Sequence, residues 1–204
     1  LALCFVAGAP LAPLAGWATV GIGAATALAL AAPYRRSRVL MFLDPWADPM
    51  DKGYQNIQSL VGLASGGIAG TGLGASRAKW GFLPYAHTDF IFAIIGEELG
   101  MVGATVVVGL YVLLAIIGVR VGLHAPDRFG LLLAVGVTAW FGMQAFVNIG
   151  AVIGILPITG VPLPFVSSGG SSLLVSMVGA GLLLSVARQA RARSLAPRAA
   201  SNAG

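Results

Sequence analysis

Long apolar runs alternate with short polar connections along this chain, and the runs are long enough to cross a bilayer. No charged residue occurs from Leu1 to Tyr34. Pro10 and Pro13 interrupt that run, which predicts a helix remnant ending near Gly8, a tight turn, and a full span over residues 14–32. A crossing needs about 20 apolar residues, and this stretch supplies them. A second span is predicted over 88–119, where Glu97 and Glu98 are followed by 21 uncharged residues. From Phe129 to Ala187 the 59 residues carry no charge, which leaves room for two crossings. Pro157, Pro162 and Pro164, then Ser167-Ser168-Gly169-Gly170, divide that stretch into spans over 129–156 and 171–187. The predicted fold is all-α, a polytopic transmembrane helix bundle of four full spans plus the N-terminal helix remnant. Residues 1–204 read as one membrane-embedded unit.

Composition sharpens that picture. Only 9% of residues are charged, 57% are hydrophobic and the mean hydropathy is +0.89. Soluble domains carry about a quarter charged residues, so an ordinary cytosolic domain and a disordered tail are both excluded. The single cysteine, Cys4, excludes a disulfide scaffold. The net charge of +5 gathers on no soluble platform, so no nucleic-acid partner is expected. The chain starts at Leu1 inside an apolar run without a basic leader, which is not a signal peptide. It reads as the later part of a longer protein.

Lys/Arg asymmetry sets the orientation. Arg188, Arg191, Arg193 and Arg198 follow the last span without an acid, which places the C-terminus in the cytoplasm. The 157–170 connection then faces out, the 120–128 link faces in, and the long loop 33–87 is extracytoplasmic. That loop holds six bases (Arg35, Arg36, Arg38, Lys52, Arg77, Lys79) against three acids (Asp44, Asp48, Asp51). Loops of about this length escape the charge rule; alternatively, the cations hold an outer-leaflet anion such as a lipid phosphate. Within the loop, Ile57, Leu60, Val61 and Ala64 form a narrow apolar stripe on a short amphipathic helix. Such a helix lies on the membrane surface or caps a cavity, with Gln55, Gln58 and Ser59 off the stripe. Glycines 66, 67, 70, 72 and 74 mark tight turns and match no nucleotide-binding fingerprint.

Ionisable groups at membrane depth cost about 2.5–3.5 kcal/mol each on insertion scales, so Asp89, Glu97 and Glu98 are the informative residues. Glu97 lies eight residues beyond Asp89, about 12 Å along a helix axis. Glu98 falls on the opposite face from Asp89, so the two glutamates cannot both share its face. One can point into a polar cavity while the other pairs elsewhere. Asp89 reads either as a helix cap or, with His87 and Thr88 at a water–membrane boundary near cations, as a general base. The two roles are compatible. No second His or Cys has zinc spacing, but a hard divalent cation, Mg or Mn, can be shared by Asp89 and a substrate phosphate; no organic cofactor is expected. Asn148 and Gln144 share a face of the third span, where amides ordinarily satisfy each other or nearby backbone. Ser167, Ser168 and Ser171 precede or open the last helix and can offer hydroxyls and amides to an anion.

These residues also carry a resemblance. The run Phe42-Leu43-Asp44-Pro45-Trp46-Ala47-Asp48-Pro49, then Gly53-Tyr54-Gln55 and Gln58-Ser59, is similar to the SEDS (shape, elongation, division, sporulation) proteins. So are Gly66-Gly67, Gly72-Leu73-Gly74, Leu83-Pro84, His87 through Ala93, Gly96-Glu97-Glu98-Leu99-Gly100, Asn148, Gly154 through Pro157, Leu163-Pro164 and Ser167 through Ser172. Gly74-Ala75-Ser76 with Lys79-Trp80 looks more like the division-type FtsW branch than the elongation-type RodA branch. The resemblance implies a ten-span protein of which this chain is the C-terminal part. It implies a peptidoglycan glycosyltransferase at the bacterial inner membrane, at the division septum, that polymerises lipid II. Asp89 would be its catalytic residue, with Arg35, Arg36, Gln55, Ser59, Lys79, His87, Thr88, Glu97, Glu98, Ser167 and Ser171 contacting substrate. Implied partners are lipid II and undecaprenyl-linked glycan, a class B penicillin-binding protein, other division proteins and membrane lipids. Two departures bear on substrate contacts: Ser168 stands where the family often has Tyr, and Tyr85 where an acid often precedes the His-Thr-Asp motif. A lipid-linked precursor flippase and a non-catalytic division scaffold are the competing readings, since intramembrane carboxylates and a proline-broken segment are also transporter features.

Overall fold

The computed structural model describes residues 1–31, 33–50, 53–76 and 88–201, without the side chains of residues 29, 33–35, 41 and 194–201. The regular elements among them are helical: α1 (Ala2–Val6), α2 (Leu11–Ala31), α3 (Pro33–Leu43), a 3-10 turn at Pro45–Ala47, α4 (Tyr54–Gly66), α5 (Ile91–Leu123), α6 (Arg128–Val152) and α7 (Gly170–Ser201). Four of these, α2, α5, α6 and α7, are long and apolar enough to cross a membrane. The core is built where α5, α6 and α7 meet. One cluster joins Phe90, Phe92, Ala93 and Ile94 to Ala145, Val152 and Leu163; the other joins Ala134 and Phe141 to Leu183 and Val186. None of α2's described residues is buried.

Two ends of the bundle can be told apart. At one, Asp127 caps α6 by accepting from the Gly130 amide at 3.3 Å, and Arg193 of α7 donates to the Pro126 carbonyl at 2.5 Å. The arginine-rich end of α7 therefore sits beside the α5–α6 turn. The Thr88–Phe90 turn, the start of α7 and the irregular segment 153–169 lie at the other end. α6 stops at Val152, short of the expected 156, because Gly154 turns into the left-handed region (φ 75°) and the Ile155 and Leu156 amides fold back onto the Gly150 carbonyl. α7 runs beyond the expected 187, since Arg188, Arg191 and Arg193 favour helix and their long stems can carry charge out of the apolar layer.

The second expected span is one helix by sequence but two by geometry. Gly100 has φ 66° and ψ −162°, which breaks α5. A break exposes backbone groups that lipid cannot satisfy, and here residues 67–72 satisfy them. Thr71 and Gly72 amides donate to the Glu97 and Glu98 carbonyls at 2.9 and 3.1 Å, while Met101 and Val102 amides donate to Gly67 and Ile68 carbonyls at 2.9 and 3.3 Å. The glycines read as turns thus fill a gap in a membrane helix. A Cβ on Gly100 would stand 2.4 Å from the Gly70 amide nitrogen. Gly100→Ala should therefore lower stability by at least about 2 kcal/mol, strain and clash together, measured as a drop in thermal midpoint of the purified protein.

α4 packs on α5 through Gly62 and Gly66, with Ser59 buried against the end of α6, while Leu60, Val61 and Ala64 of the apolar stripe point outward. Small residues at the contact let backbones approach, and large apolar ones are left to face lipid. α3 stands where the sequence reading expected loop: Arg35, Arg36 and Arg38 suggested an exposed connection, yet the stretch is helical from Pro33, a residue suited to a first helical turn.

Candidate functional site

The site is assembled at the end of the bundle holding the Thr88–Asp89 turn. Two buried side chains from elsewhere in the chain grip that turn by its carbonyls. Asn148, on α6 and 2% exposed, donates through Nδ2 to the Asp89 carbonyl at 2.8 Å and to the Val161 carbonyl at 2.7 Å. Ser167 donates through its hydroxyl to the Thr88 carbonyl at 2.6 Å and accepts from the Leu163 amide at 2.7 Å. The Asp89 backbone is thereby fixed, yet its half-buried carboxylate holds no hydrogen bond to a described residue. Its Oδ2 lies against Gly160, 3.4 Å from where a Cβ would be. Gly160 has φ 71°, so the segment's turn and its close approach to the acid both favour glycine there.

The segment 157–169 can be irregular at this depth because its backbone is satisfied by side chains. Arg38 Nη1 donates to the Ile158 carbonyl at 2.9 Å, Asn148 to Val161, and the Tyr111 hydroxyl to Pro164. Phe165 adopts a positive φ of 65°, rare for a side-chain-bearing residue, and its ring packs on Phe141 at 5.0 Å between centroids. Tyr111→Phe removes one part-buried hydrogen bond and leaves the Pro164 carbonyl without it. The expected cost is about 1–2 kcal/mol, read as a lower thermal midpoint.

The remaining candidates separate by placement. Thr88 joins Asp89 in the gripped turn. Glu97 is buried at 4% exposure, accepts a 2.5 Å bond from the Ser76 hydroxyl, and faces Gly62 of α4. It belongs to the plugged helix break. Glu98, half-buried, lies beside it in the break with its carbonyl bonded by Gly72. Ser59 spends its hydroxyl on the Asn56 and Val152 carbonyls, fastening α4 to the end of α6, one turn from half-buried Gln55. Ser167 is likewise committed to backbone, while Ser171 is exposed in the first turn of α7. Arg36 is exposed. Lys79 and His87 lie outside the described residues, as does the side chain of Arg35.

Two residues take parts at the site that the sequence does not assign them. Arg38 was counted only among the loop's bases, but it brings a guanidinium to Ile158, two residues from the glycine facing Asp89. For Asn148 the sequence predicts a neighbouring amide or backbone as partner; its acceptors are backbone, and one of them is Asp89 itself. Among the described residues no group of three or more His, Cys, Asp or Glu could hold a metal ion. A hard cation would have Asp89 as its ligand from these residues and would need substrate phosphate for the rest.

Comparison with known proteins agrees with this architecture. A family model described as cell cycle protein, covering FtsW, RodA and SpoVE, matches residues 1–192. Stage V sporulation protein E of Bacillus subtilis (strain 168) is 44% identical over 191 residues, 94% of this chain and 52% of that protein. A probable peptidoglycan glycosyltransferase FtsW of Geobacter metallireducens is 51% identical over 153 residues, 75% of this chain and 41% of its own length. Among solved structures, a chain of a peptidoglycan synthase complex that coordinates polymerization and crosslinking superposes with a TM-score of 0.69 at 34% identity, covering 93% of this chain and 52% of its own. The chain thus spans about half the length of the curated relatives it matches. It is a multi-pass membrane protein, and it belongs to the FtsW/RodA/SpoVE cell cycle protein family.

Proposed function

We propose that the protein acts as a peptidoglycan glycosyltransferase that polymerises lipid II during cell division, with Asp89 as general base at the outer membrane face. The observation that carries this reading is the Thr88–Asp89 turn: its backbone is locked by Asn148 and Ser167 while the carboxylate is left available. A base must be held still and yet be free to take a proton. The 4-hydroxyl of an incoming lipid II attacks C1 of the growing chain's reducing-end sugar, and its proton passes to an Asp89 oxygen. The C1–oxygen bond to undecaprenyl pyrophosphate breaks, and that group departs with the bonding electrons. Arg38 and the other cations of 33–87 supply charge for the leaving pyrophosphate. A divalent cation held by Asp89 and that pyrophosphate would reinforce the same stabilisation when bound.

The family relatives named as probable peptidoglycan glycosyltransferases support this reading, as does the synthase complex, whose two activities suggest a class B penicillin-binding protein as partner. The septum is the expected location, with the C-terminus in the cytoplasm. The flippase reading draws on the proline-broken segment after α6 and on the carboxylates Glu97 and Glu98, which lie at the break in α5. That break is filled by residues 67–72, which leaves its backbone groups bonded rather than open to a passing headgroup. The test is polymerisation of labelled lipid II by the full-length protein with its partner. Wild type should give a ladder of glycan products and Asp89→Ala none at equal expression; a ladder from the variant rejects the reading.

A further inference from the structure

The irregular segment after α6 is fastened to the bundle at successive points. Arg38 donates to the Ile158 carbonyl, Asn148 to the Val161 carbonyl and the Tyr111 hydroxyl to the Pro164 carbonyl, while the Leu163 amide donates to Ser167. Between the first two anchors lie Thr159 and Gly160, both exposed. The Thr159 hydroxyl and the backbone N–H and C=O groups of both residues bond to no described residue. The result is a short open edge whose two ends are held by side chains from α3 and α6. Such an edge does not have to order itself around a ligand, so contacts along it are preorganised.

Position decides which part of a substrate this edge meets. Asp89 Oδ2 lies 3.4 Å from where a Cβ on Gly160 would stand. A general base sits within about 2.6–3.2 Å of the hydroxyl whose proton it takes, so the ring bearing that hydroxyl must lie over or beside Gly160. In a displacement at C1 the leaving group departs opposite the incoming hydroxyl, which carries the pyrophosphate away from the edge. Chemistry points the same way. The edge offers two amide N–H donors, two carbonyl acceptors and a hydroxyl that serves as either. A sugar with hydroxyl and acetamido groups uses both kinds, whereas an anion would be opposed by the carbonyls. The missing Cβ at Gly160 lets the ring approach the backbone closely.

We propose that the Thr159–Gly160 edge binds the acceptor sugar, with the Thr159 hydroxyl and the open backbone groups bonding the ring that carries the attacking hydroxyl. This deepens the catalytic reading and rests on Asp89 as the base. The test is polymerisation by the full-length protein with its partner, using a preformed short lipid-linked glycan as donor and lipid II as acceptor, each varied in turn. Thr159→Val removes the hydroxyl and keeps the side chain's shape. It should raise KM for lipid II roughly 3–10-fold, the loss of one neutral hydrogen bond, with kcat, the pH profile and KM for the glycan donor little changed. Thr159→Ser keeps the hydroxyl and should retain the wild-type KM. Thermal midpoints should agree among these proteins, because Thr159 is exposed and its hydroxyl bonds to no described residue. Should valine disturb the turn, Thr159→Ala against Thr159→Ser makes the same comparison. Unchanged KM for lipid II in the valine and alanine variants would mean an edge that is merely hydrated and overturns the proposal, as does an equal rise for donor and acceptor. Retained polymerisation by Asp89→Ala removes the base and this proposal with it. Loss of polymer in Asp89→Ala with unchanged acceptor KM in Thr159→Val overturns this proposal alone.

Discussion

Asp89→Asn is expected to lower the rate of lipid II polymerisation by roughly 10²–10⁴-fold, the usual contribution of a positioned general base. The substitution keeps the side chain's size and removes only its capacity to accept the proton. Stability should hardly change. The carboxylate has no hydrogen bond to a described residue, and the bonds that fix the turn run through the Thr88 and Asp89 carbonyls, which the substitution leaves in place. Polymerisation rates and thermal midpoints of the same preparations check both halves. Asp89→Glu should fall between the two, because a base one methylene longer is retained but displaced against Gly160. A variant that loses both activity and fold would point to a structural role for this acid.

Asn148→Leu is the second large effect. Leucine keeps asparagine's branched skeleton of four heavy atoms but removes both donations, to Asp89 and to Val161. Two part-buried carbonyls then lose a partner, at a cost of about 1 kcal/mol or more each before relaxation. The Asn148 Oδ1, buried and without a partner among the described residues, disappears as well and offsets part of that cost. Release of the turn matters more for chemistry, because a displacement of about 1 Å at a reacting group can cost ~100-fold in rate. The expected result is a fall of about that size in kcat with KM little changed, since Asn148 is buried beneath the turn rather than exposed at it. Ser167→Ala, which frees only the Thr88 carbonyl and the Leu163 amide, should show the same pattern at smaller amplitude. A rise in KM at constant kcat would instead assign these residues to substrate binding.

The contrast between Asp89 and Asn148 also marks how far the sequence could be read. The spanning helices were legible because their signal is local: long uncharged runs ended by prolines and arginines. Asp89 stood out for a similar reason, as an acid at the mouth of such a run. Asn148 acquires its role only from contacts 59 residues away in sequence, which no local pattern encodes. Arg38 is the same case, reaching 120 residues to Ile158. The break at Gly100 had a visible trace in Gly96-Glu97-Glu98-Leu99-Gly100, but hydropathy averages over one glycine. The turn glycines near 70 gave no sign that their amides would close that gap. α3 escaped notice because three arginines in four residues dominate its charge pattern, although arginine is a good helix former. For Lys79 and His87 the sequence reading stands as an expectation.

The proposed catalysis requires that the Asp89 side chain open to the outer face of the membrane, where lipid-linked sugars can reach it. The most direct test replaces Cys4 with alanine, introduces Asp89→Cys in the full-length protein, and treats intact cells or spheroplasts with a membrane-impermeant maleimide. Position 89 should be modified from outside, and lipid II should protect it. Modification only after the cytoplasmic face is exposed, or none under denaturant-free conditions from either side, would contradict it.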